Sequence, residues 1–224
     1  IITPSEYSKQ LIQSYGVKTP IVAVSNGIDL SKYKKDPKKE EVFRKHFNIQ
    51  EGEKVVLCAG LYFRRKGIED FVEVARRMPD VRFIWLGSIN KWLIPRAIRR
   101  LVEKDHPSNV EFPGYFKGAV FQGAMTGADA FFFPSYEETE GIVVLEALAG
   151  HQHVVLRDIP VYHGWVDQES AELCHSVDEF VDSLEKVLSG QVDKRDAGDR
   201  VAQSRSIDLV ADQLVKAYQQ VLEM

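Results

Sequence analysis

Short apolar segments alternate with helical patterns along most of this chain, and no other feature restricts the fold as strongly. The apolar segments are rich in Val, Ile and Phe, and most of them are apolar on both faces. Strands of that kind are typical of a parallel sheet that is covered by helices on both sides. The alternation therefore predicts an α/β fold built from βαβ units, with a doubly wound parallel sheet and helices at the C-terminal end.

Six strands are predicted, over Ile21–Val24, Val55–Ala59, Arg82–Leu86, Val110–Phe112, Ala130–Phe133 and Val154–Leu156. Helices are predicted over Lys38–Phe47, Ile68–Met78, Leu93–Glu103, Val120–Thr126, Ile142–Ala149, Val177–Leu188 and Ser206–Leu222. The last helix repeats apolar residues at three- and four-residue spacing, so one of its faces is expected to pack on another element or on a part of the protein outside this sequence. In open parallel sheets ligands bind outside the carboxyl ends of the strands, so chemistry is expected in the loops that follow them.

Length and composition restrict the class of protein. With 224 residues, 44% of them hydrophobic, the chain is expected to be one domain over residues 1–224. A net charge of −4 gives no overall field for binding nucleic acid, so no nucleic-acid partner is expected. Cys58 and Cys174 lack CxxC spacing and favour a reducing, cytoplasmic compartment. No apolar run approaches the roughly 18 residues that span a bilayer. The missing initiator methionine suggests a piece of a longer chain.

Acidic residues crowd the entrance of the helix predicted over Ile142–Ala149. Glu137, Glu138 and Glu140 precede this helix, where acids either complement the helix dipole or bind a ligand, and both interpretations stay open. Glu146 lies inside the helix among apolar residues. An unpaired carboxylate is costly to bury there, so Glu146 is expected to reach a crevice or a partner.

The spacing of the acids suits a ligand with hydroxyl groups at two places. If the helix begins near Gly141, Glu146 lies about 7–8 Å along its axis, at 1.5 Å per residue, while Glu138 stays in the loop at the mouth. A ligand with its phosphates at the helix N-terminus would then reach Glu138 with one part and Glu146 with another. Sugar and ribose hydroxyls both donate to carboxylates.

A cationic loop, Gly60-Leu61-Tyr62-Phe63-Arg64-Arg65-Lys66-Gly67, follows the second predicted strand. It would serve either as a diphosphate clamp or as a solvated loop, and its spacing matches neither a P-loop nor GxGxxG. The segment Phe112-Pro113-Gly114-Tyr115 would line a base pocket or form a plain loop. No His, Cys, Asp or Glu residues show metal-ligand spacing, and His151 and His153 are expected to alternate at a strand start. No metal cofactor is expected.

An ordered set of motifs within residues 1–160 resembles the C-terminal donor-binding domain of glycosyltransferase family 4. The set is Thr3-Pro4-Ser5 before a helix, Ser25-Asn26-Gly27-Ile28-Asp29, the Lys66-Gly67 loop, Pro113-Gly114, and Pro134-Ser135 with the E-x7-E pair Glu138 and Glu146. The resemblance implies a Rossmann-like domain of the GT-B fold, with helices over residues 177–224. It implies a retaining glycosyltransferase that uses a UDP-sugar, and an N-terminal acceptor domain outside this sequence, without which the domain is expected to be inactive.

The resemblance also assigns roles to residues. Glu138 would contact the donor sugar and Glu146 the ribose, while Lys66 and a nearby arginine would stabilise the leaving diphosphate. The family arginine usually follows the first glycine of the loop, where this chain has Leu61, so Arg65 is favoured over Arg64. A second departure is His153, where the family commonly has proline. The remaining residues implied in donor binding are Gly60, Gly114, Tyr115, Gly141, Ile142 and Val143.

Several segments narrow the resemblance to bacterial glucosyl-diacylglycerol synthases. These segments are Arg65–Ile68, Phe83–Gly87, Phe112–Tyr115 and Arg157–Tyr162. The resemblance implies UDP-glucose as donor, diacylglycerol as candidate acceptor and a location on the inner face of the plasma membrane. The segment from Lys91 to Arg100 combines cations, Trp92 and aliphatic residues. It would either lie on anionic lipid or pack on the core with a solvated basic face.

Two other classes of function stay open. One is a nucleotide-sugar-binding or partner module without turnover, which Leu61 in place of the arginine favours. The other is a sugar-nucleotide epimerase of related fold.

Overall fold

The computed structural model describes residues 1–222, apart from the side chain of Lys91. Its strands are β1 Ile2–Thr3, β2 Val22–Ala23, β3 Val55–Ala59, β4 Arg82–Leu86, β5 Val110–Gly114, β6 Ala130–Phe133, β7 Val154–Arg157 and β8 Glu172–Cys174. Its helices are α1 Glu6–Ser14, α2 Pro37–His46, α3 Ile68–Arg77, α4 Arg96–Glu103, α5 Ala119–Gly127, α6 Ile142–Ala149, α7 Val177–Leu188, α8 Arg195–Gln203 and α9 Ile207–Leu222. Single 3-10 turns cover Leu30–Tyr33, Arg64–Lys66 and Lys91–Leu93.

The main sheet has six parallel strands in the order β5-β4-β3-β6-β7-β8. The chain winds outward from β3 to β5 and then returns to place β6 on the other side of β3. That reversal opens a crevice at the carboxyl ends of β3 and β6, which is where ligands of open α/β sheets bind. The predicted α/β fold with a parallel sheet is confirmed.

Strand β6 shows why the sheet needs apolar residues on both faces. Its four residues are fully buried, and successive side chains point to opposite faces. Phe132 contacts Phe71 of α3 and Phe180 of α7, whereas Phe131 and Phe133 stack on each other at 6.0 Å between ring centroids. Helices α3 and α7 therefore cover the face of the strand on which Phe132 lies. The opposite face, which carries Phe131 and Phe133, is equally apolar.

Several predicted boundaries differ from the structure. The strand predicted over Ile21–Val24 is shorter and pairs with β1 in a separate two-stranded parallel sheet. Helix α4 begins at Arg96 rather than Leu93, directly after Pro95. His151 does not begin a strand: its φ is +57° in the turn after α6, and β7 starts at Val154.

Strand β8 and helix α8 were not predicted, and α9 is buried along only part of its apolar face. β8 has three residues, one of them Glu172, and α8 contains five charged or amide side chains, so neither has a strong apolar pattern. In α9 Val210 and Ala217 are buried, whereas Tyr218 and Val221 are 58% and 66% exposed. No helix within residues 1–222 is long and apolar enough to cross a membrane.

Two glycines bring the loops at the carboxyl edge of the sheet into contact. A Cβ at Gly67 would lie 2.2 Å from the carbonyl oxygen of Pro134, and the φ of Gly67 is +79°. A Cβ at Gly87 would lie 1.9 Å from the carbonyl oxygen of Gly60. Only glycine fits this geometry without a shift, so the loops after β3, β4 and β6 meet at backbone distance.

Candidate functional site

A cavity of about 330 Å³ lies at the carboxyl ends of the central strands. Gly60 and Leu61 after β3 and Gly87 after β4 form one part of its wall. Residues 115–118 after β5 form another part, and Val143 and Glu146 of α6 with Tyr33 complete it. The cavity therefore lies at the reversal of strand order, where the sequence predicted chemistry.

Glu146 has both a partner and access to the cavity. The hydroxyl of Tyr33 donates to Oε1 of Glu146, and both side chains line the cavity. Burial raises the pKa of Glu146, and the hydrogen bond from Tyr33 and the charge of Lys32 counteract that rise only in part. The pKa of Tyr33 is also raised, first by burial and then by Glu146, so the phenol stays a donor. The second oxygen of Glu146 is available for a further donor.

Glu138 forms an ion pair with Lys66 below the mouth of the crevice. Nζ of Lys66 lies 2.5 Å from Oε1 of Glu138, and the two side chains are 13% and 8% exposed. The hydroxyl of Ser135 also donates to Oε1, at 2.7 Å. Lys66 further lies 5.2 Å from the ring centroid of Phe133. Glu138 belongs to the loop as expected, but its side chain points inward to the lysine rather than standing at the mouth.

The other two acids of the loop have different roles. Glu140 is 1% exposed and accepts from the backbone N–H of Asn26 at 2.9 Å and from its Nδ2 at 2.6 Å. It also accepts from Ser25 Oγ and, at 3.2 Å, from Arg205 Nη1. The side chain of Glu137 is exposed. Glu140 is thus satisfied inside the protein, and Glu138 is held by Lys66 and Ser135, whereas Glu146 lines the cavity.

The two arginines of the cationic loop point to different partners. Nη1 of Arg65 donates to the carbonyl oxygen of Glu137 at 2.8 Å, which holds Arg65 beside the acidic loop. Arg64 instead pairs with Glu69 of α3, with Nε 2.8 Å from Oε2. Of the two, only Arg65 contacts the acidic loop through a described hydrogen bond, and its preference over Arg64 as the second cation stays a prediction.

The N-terminus of α6 offers backbone donors to the same crevice. The first intrahelical bond runs from the N–H of Val144 to the carbonyl of Gly141, so the N–H groups of Gly141, Ile142 and Val143 precede it. Such groups form a site for anions at a helix N-terminus. Gly141 has a φ of +88°, and Ile142 is 44% exposed.

The loop after β5 contributes an aromatic side chain at the far side of the cavity. Tyr115 is 72% exposed and lines the cavity. Gly114 lies behind it, where its carbonyl accepts from the N–H of Gly87 at 2.8 Å and its N–H donates to Tyr62 Oη at 3.2 Å. Gly114 therefore positions the loop rather than lining the cavity. Within the described residues, no group of three or more His, Cys, Asp or Glu side chains is placed to hold a metal ion.

Comparison with protein families identifies this arrangement. Residues 39–204 match the model of the family described as glycosyl transferases group 1. The chain belongs to this glycosyltransferase family. The matched residues include Glu138, Glu146, Lys66 and all of the main sheet from β3 to β8.

Relatives and solved structures agree with the assignment. The glycosyltransferase chain is 50% identical, over 227 residues, to the processive diacylglycerol alpha-glucosyltransferase of Acholeplasma laidlawii, and the match covers 100% of this chain and 68% of that protein. The sucrose-phosphate synthase of Thermosynechococcus elongatus superposes with a TM-score of 0.85 at 20% identity, covering 99% of this chain and 58% of the other. Anabaena HepE, solved with UDP and glucose, gives 0.84 at 18% identity, covering 97% and 62%. These two structures support the fold.

Some residues of the glycosyltransferase site were not found by sequence reasoning. Tyr33 is separated from Glu146 by 113 positions, and its own segment shows only a short 3-10 turn. Tyr162 packs against Gly141 although it follows β7, and no described residue forms a hydrogen bond with its hydroxyl. No periodicity or spacing links these pairs, so only the fold brings them together.

Proposed function

We propose that the chain binds a UDP-sugar, UDP-glucose in particular, as the donor-binding domain of a retaining hexosyltransferase. One observation carries the proposal. Lys66 and Glu138 meet beside the N-terminus of α6, and Glu146, which belongs to the same helix, lines the cavity. A nucleoside diphosphate sugar suits this arrangement, because it has a charged centre with hydroxyl groups on both sides. The 50% identity to a diacylglycerol alpha-glucosyltransferase supports glucose as the transferred sugar.

Each part of the donor has a matching group in this proposal. The ribose hydroxyls donate to Glu146, and the base lies near Gly60 and Tyr115. The diphosphate accepts from the N–H groups of Gly141, Ile142 and Val143. The sugar hydroxyls donate to Glu138. Gly114 acts from behind by holding the loop that carries Tyr115.

The protein would accelerate the reaction mainly by stabilising the leaving diphosphate. The anomeric carbon becomes oxocarbenium-like as its bond to the diphosphate oxygen breaks, and negative charge grows on that oxygen. Lys66, Arg65 and the amides of α6 are positive groups that would offset this charge, so we propose that no metal ion is required. Glu138 would position the sugar rather than attack it.

The acceptor is proposed to be a membrane lipid hydroxyl, with diacylglycerol as the first candidate. The chain spans 68% of the alpha-glucosyltransferase and 58–62% of the two superposed structures, so we propose that a further domain supplies the acceptor side. A lipid acceptor requires contact with a membrane surface, and we propose a peripheral location on its cytoplasmic side.

The donor site is tested by calorimetric titration of the chain with a panel of nucleotide sugars. UDP-glucose is expected to bind, with affinity unchanged by EDTA. Glu146→Ala should weaken binding about ten- to hundredfold, because hydrogen bonds to a charged group contribute about 1.5–3 kcal/mol. Glu137→Ala is the matched control, since that acid is exposed in the same region, and it should bind normally. If no UDP-sugar binds, or if Glu146→Ala binds as well as the unsubstituted chain, the assignment is wrong.

A non-catalytic binding module remains the second candidate, because Leu61 occupies the position of the usual family arginine. Incubating the full-length protein with UDP-glucose and diacylglycerol separates the functions. Release of UDP together with glycolipid supports transfer, whereas tight binding without product supports the module. An epimerised donor would support an epimerase.

A further inference from the structure

Tyr162 carries a buried hydroxyl that nothing in the structure satisfies. The side chain is fully buried, and its Oη is one of the buried side-chain atoms without a hydrogen-bond partner. A Cβ at Gly141 would lie 3.1 Å from Oη and 3.0 Å from the edge of the ring. The hydroxyl thus lies against Gly141, the residue directly before α6 and three positions after Glu138. Because burying an unpaired hydroxyl is unfavourable, the group is expected to have a partner in some other state.

Glu138 is the nearby acid that would lose the ion pair with Lys66 when the donor binds. It is 8% exposed, and the bonds that the described residues make to its carboxylate come from Lys66 and Ser135. Under the proposed function, Lys66 turns to the donor diphosphate. Removing the cation from so buried a carboxylate is unfavourable unless another donor replaces it. Ser135 by itself would supply one neutral hydrogen bond.

We propose that Tyr162 is a positioning residue whose hydroxyl donates to Glu138 when the diphosphate takes over Lys66. The inference rests on the proposed function and adds a residue to its site. Burial and the negative charge of Glu138 raise the pKa of Tyr162, so the phenol keeps its proton and remains a donor. Glu138 would then stay ionised and oriented toward the sugar while Lys66 is engaged elsewhere.

The two phosphates of the nucleotide are expected to respond differently to the loss of the Tyr162 hydroxyl. UMP offers the ribose and one phosphate, whereas UDP adds the second phosphate that competes with Glu138 for Lys66. Without the Tyr162 hydroxyl, that exchange becomes less favourable. The affinity gained from UMP to UDP should therefore shrink, while binding of UMP itself should not change.

The experiment compares Tyr162→Phe with the unsubstituted chain by calorimetric titration with UMP and UDP. Phenylalanine keeps the ring that packs at 5.6 Å from Trp165 and removes only the hydroxyl. The ratio of UDP to UMP affinity is expected to fall about tenfold, the size of one hydrogen bond to a charged group, with UMP affinity constant within about twofold. The melting temperature should equal or exceed that of the unsubstituted chain, because an unpaired buried hydroxyl is removed.

Each other outcome identifies what fails. An unchanged ratio overturns the role of Tyr162 while leaving the donor site intact. Equal losses for UMP and UDP, or a lower melting temperature, also overturn it, because they indicate a purely structural hydroxyl. If the unsubstituted chain binds no UDP, the proposed function itself is wrong. Tyr136→Phe is the matched control, since its hydroxyl donates to Asp70 at 2.6 Å, and its ratio should stay unchanged.

Discussion

Glu138, Glu140 and Glu146 have the same side chain and face different surroundings. Glu140 is fully occupied by donors from Ser25, Asn26 and Arg205. Glu138 is neutralised by Lys66. Glu146 is bound by the neutral hydroxyl of Tyr33 and by no described cation in direct contact. Glu138 and Glu140 each have a cationic partner and Glu146 has a neutral one, and burial raises the pKa of Glu146.

Stability should respond to pH through Glu146. Because burial raises its pKa above the ordinary value of 4.5, the folded chain holds a proton that the unfolded chain has already released. The contribution of Glu146 to the free energy of unfolding is therefore present at low pH and is lost as pH rises through its folded pKa. Glutamine can still accept from Tyr33 and does not titrate. Glu146→Gln should thus gain stability relative to the unsubstituted chain as pH rises from about 4 to 7.

Urea unfolding at several pH values measures this difference. Glu137→Gln is the control, because an exposed acid should leave the pH profile parallel to that of the unsubstituted chain. A parallel profile for Glu146→Gln as well would contradict the prediction.

At the scale of elements, the segment from Lys91 to Arg100 was predicted either to lie on anionic lipid or to pack on the core, and its two parts behave differently. Ile98 and Val102 of α4 are buried at 1% and 8% exposure, so the helix packs on the core. Trp92 and Leu93, in the 3-10 turn before it, are 84% and 70% exposed. The guanidinium of Arg99 lies 5.3 Å from the ring centroid of Trp92. The two interpretations were alternatives for one segment, and the structure divides it: the core-facing part is α4 and the exposed apolar part precedes it. The side chain of Lys91, the first cation of the segment, lies outside the described residues.

The exposed turn is expected to contribute to membrane binding. Replacing Trp92 and Leu93 together by serine should lower the partition of the chain onto vesicles that contain anionic lipid at least tenfold, because burying each side chain contributes about 1.5–3 kcal/mol. The melting temperature should not change, since both side chains are exposed. Flotation with phosphatidylglycerol-containing vesicles measures the partition.

The control for this test is Tyr15→Ser, which removes a 75% exposed aromatic side chain at the end of α1. It should bind vesicles normally. Equal binding by the Trp92/Leu93 variant and the unsubstituted chain would exclude the turn as a membrane contact.

At the scale of the whole molecule, both ends of the chain hold the loop that carries Glu138. Ser5 at the start of α1 donates to the carbonyl of Thr139 at 2.6 Å. Glu140 joins the segment after β2 to Arg205, which precedes α9, and Ile28 pairs with Ser206 in an isolated bridge. Burial lowers the pKa of Arg205, and Glu140 opposes that shift. The geometry of the site therefore depends on contacts between distant parts of the chain.

Glu140→Ala is expected to lower the free energy of unfolding by about 3–5 kcal/mol, because it leaves the half-buried Arg205 and the polar groups of Ser25 and Asn26 without their acceptor. For a chain of this size the melting temperature should fall by roughly 10 °C. Thermal unfolding followed by circular dichroism measures the change. For Glu137→Ala the free energy of unfolding should stay within about 0.5 kcal/mol of the unsubstituted chain. A similar loss in both variants would show that the contacts of Glu140 do not stabilise the fold.

The sequence by itself determined the parallel α/β sheet, the loops at its carboxyl edge and the E-x7-E pair. These features depend on periodicity and spacing within about 20 residues, which the chain expresses locally. The short strand β8 and the polar helix α8 were missed because their local patterns are weak, and their stability comes from contacts with β7 and α6.

Only the tertiary structure decided which partner each of the three acids has. Glu146 meets Tyr33 across 113 positions, Glu140 meets Ser25 across 115, and Glu138 meets Lys66 across 72. An isolated acid at a helix entrance has the same local pattern whether it complements the dipole, clamps the chain or faces a ligand. The difference lies in burial and in the charge of partners from distant parts of the chain, and those are properties of the folded chain.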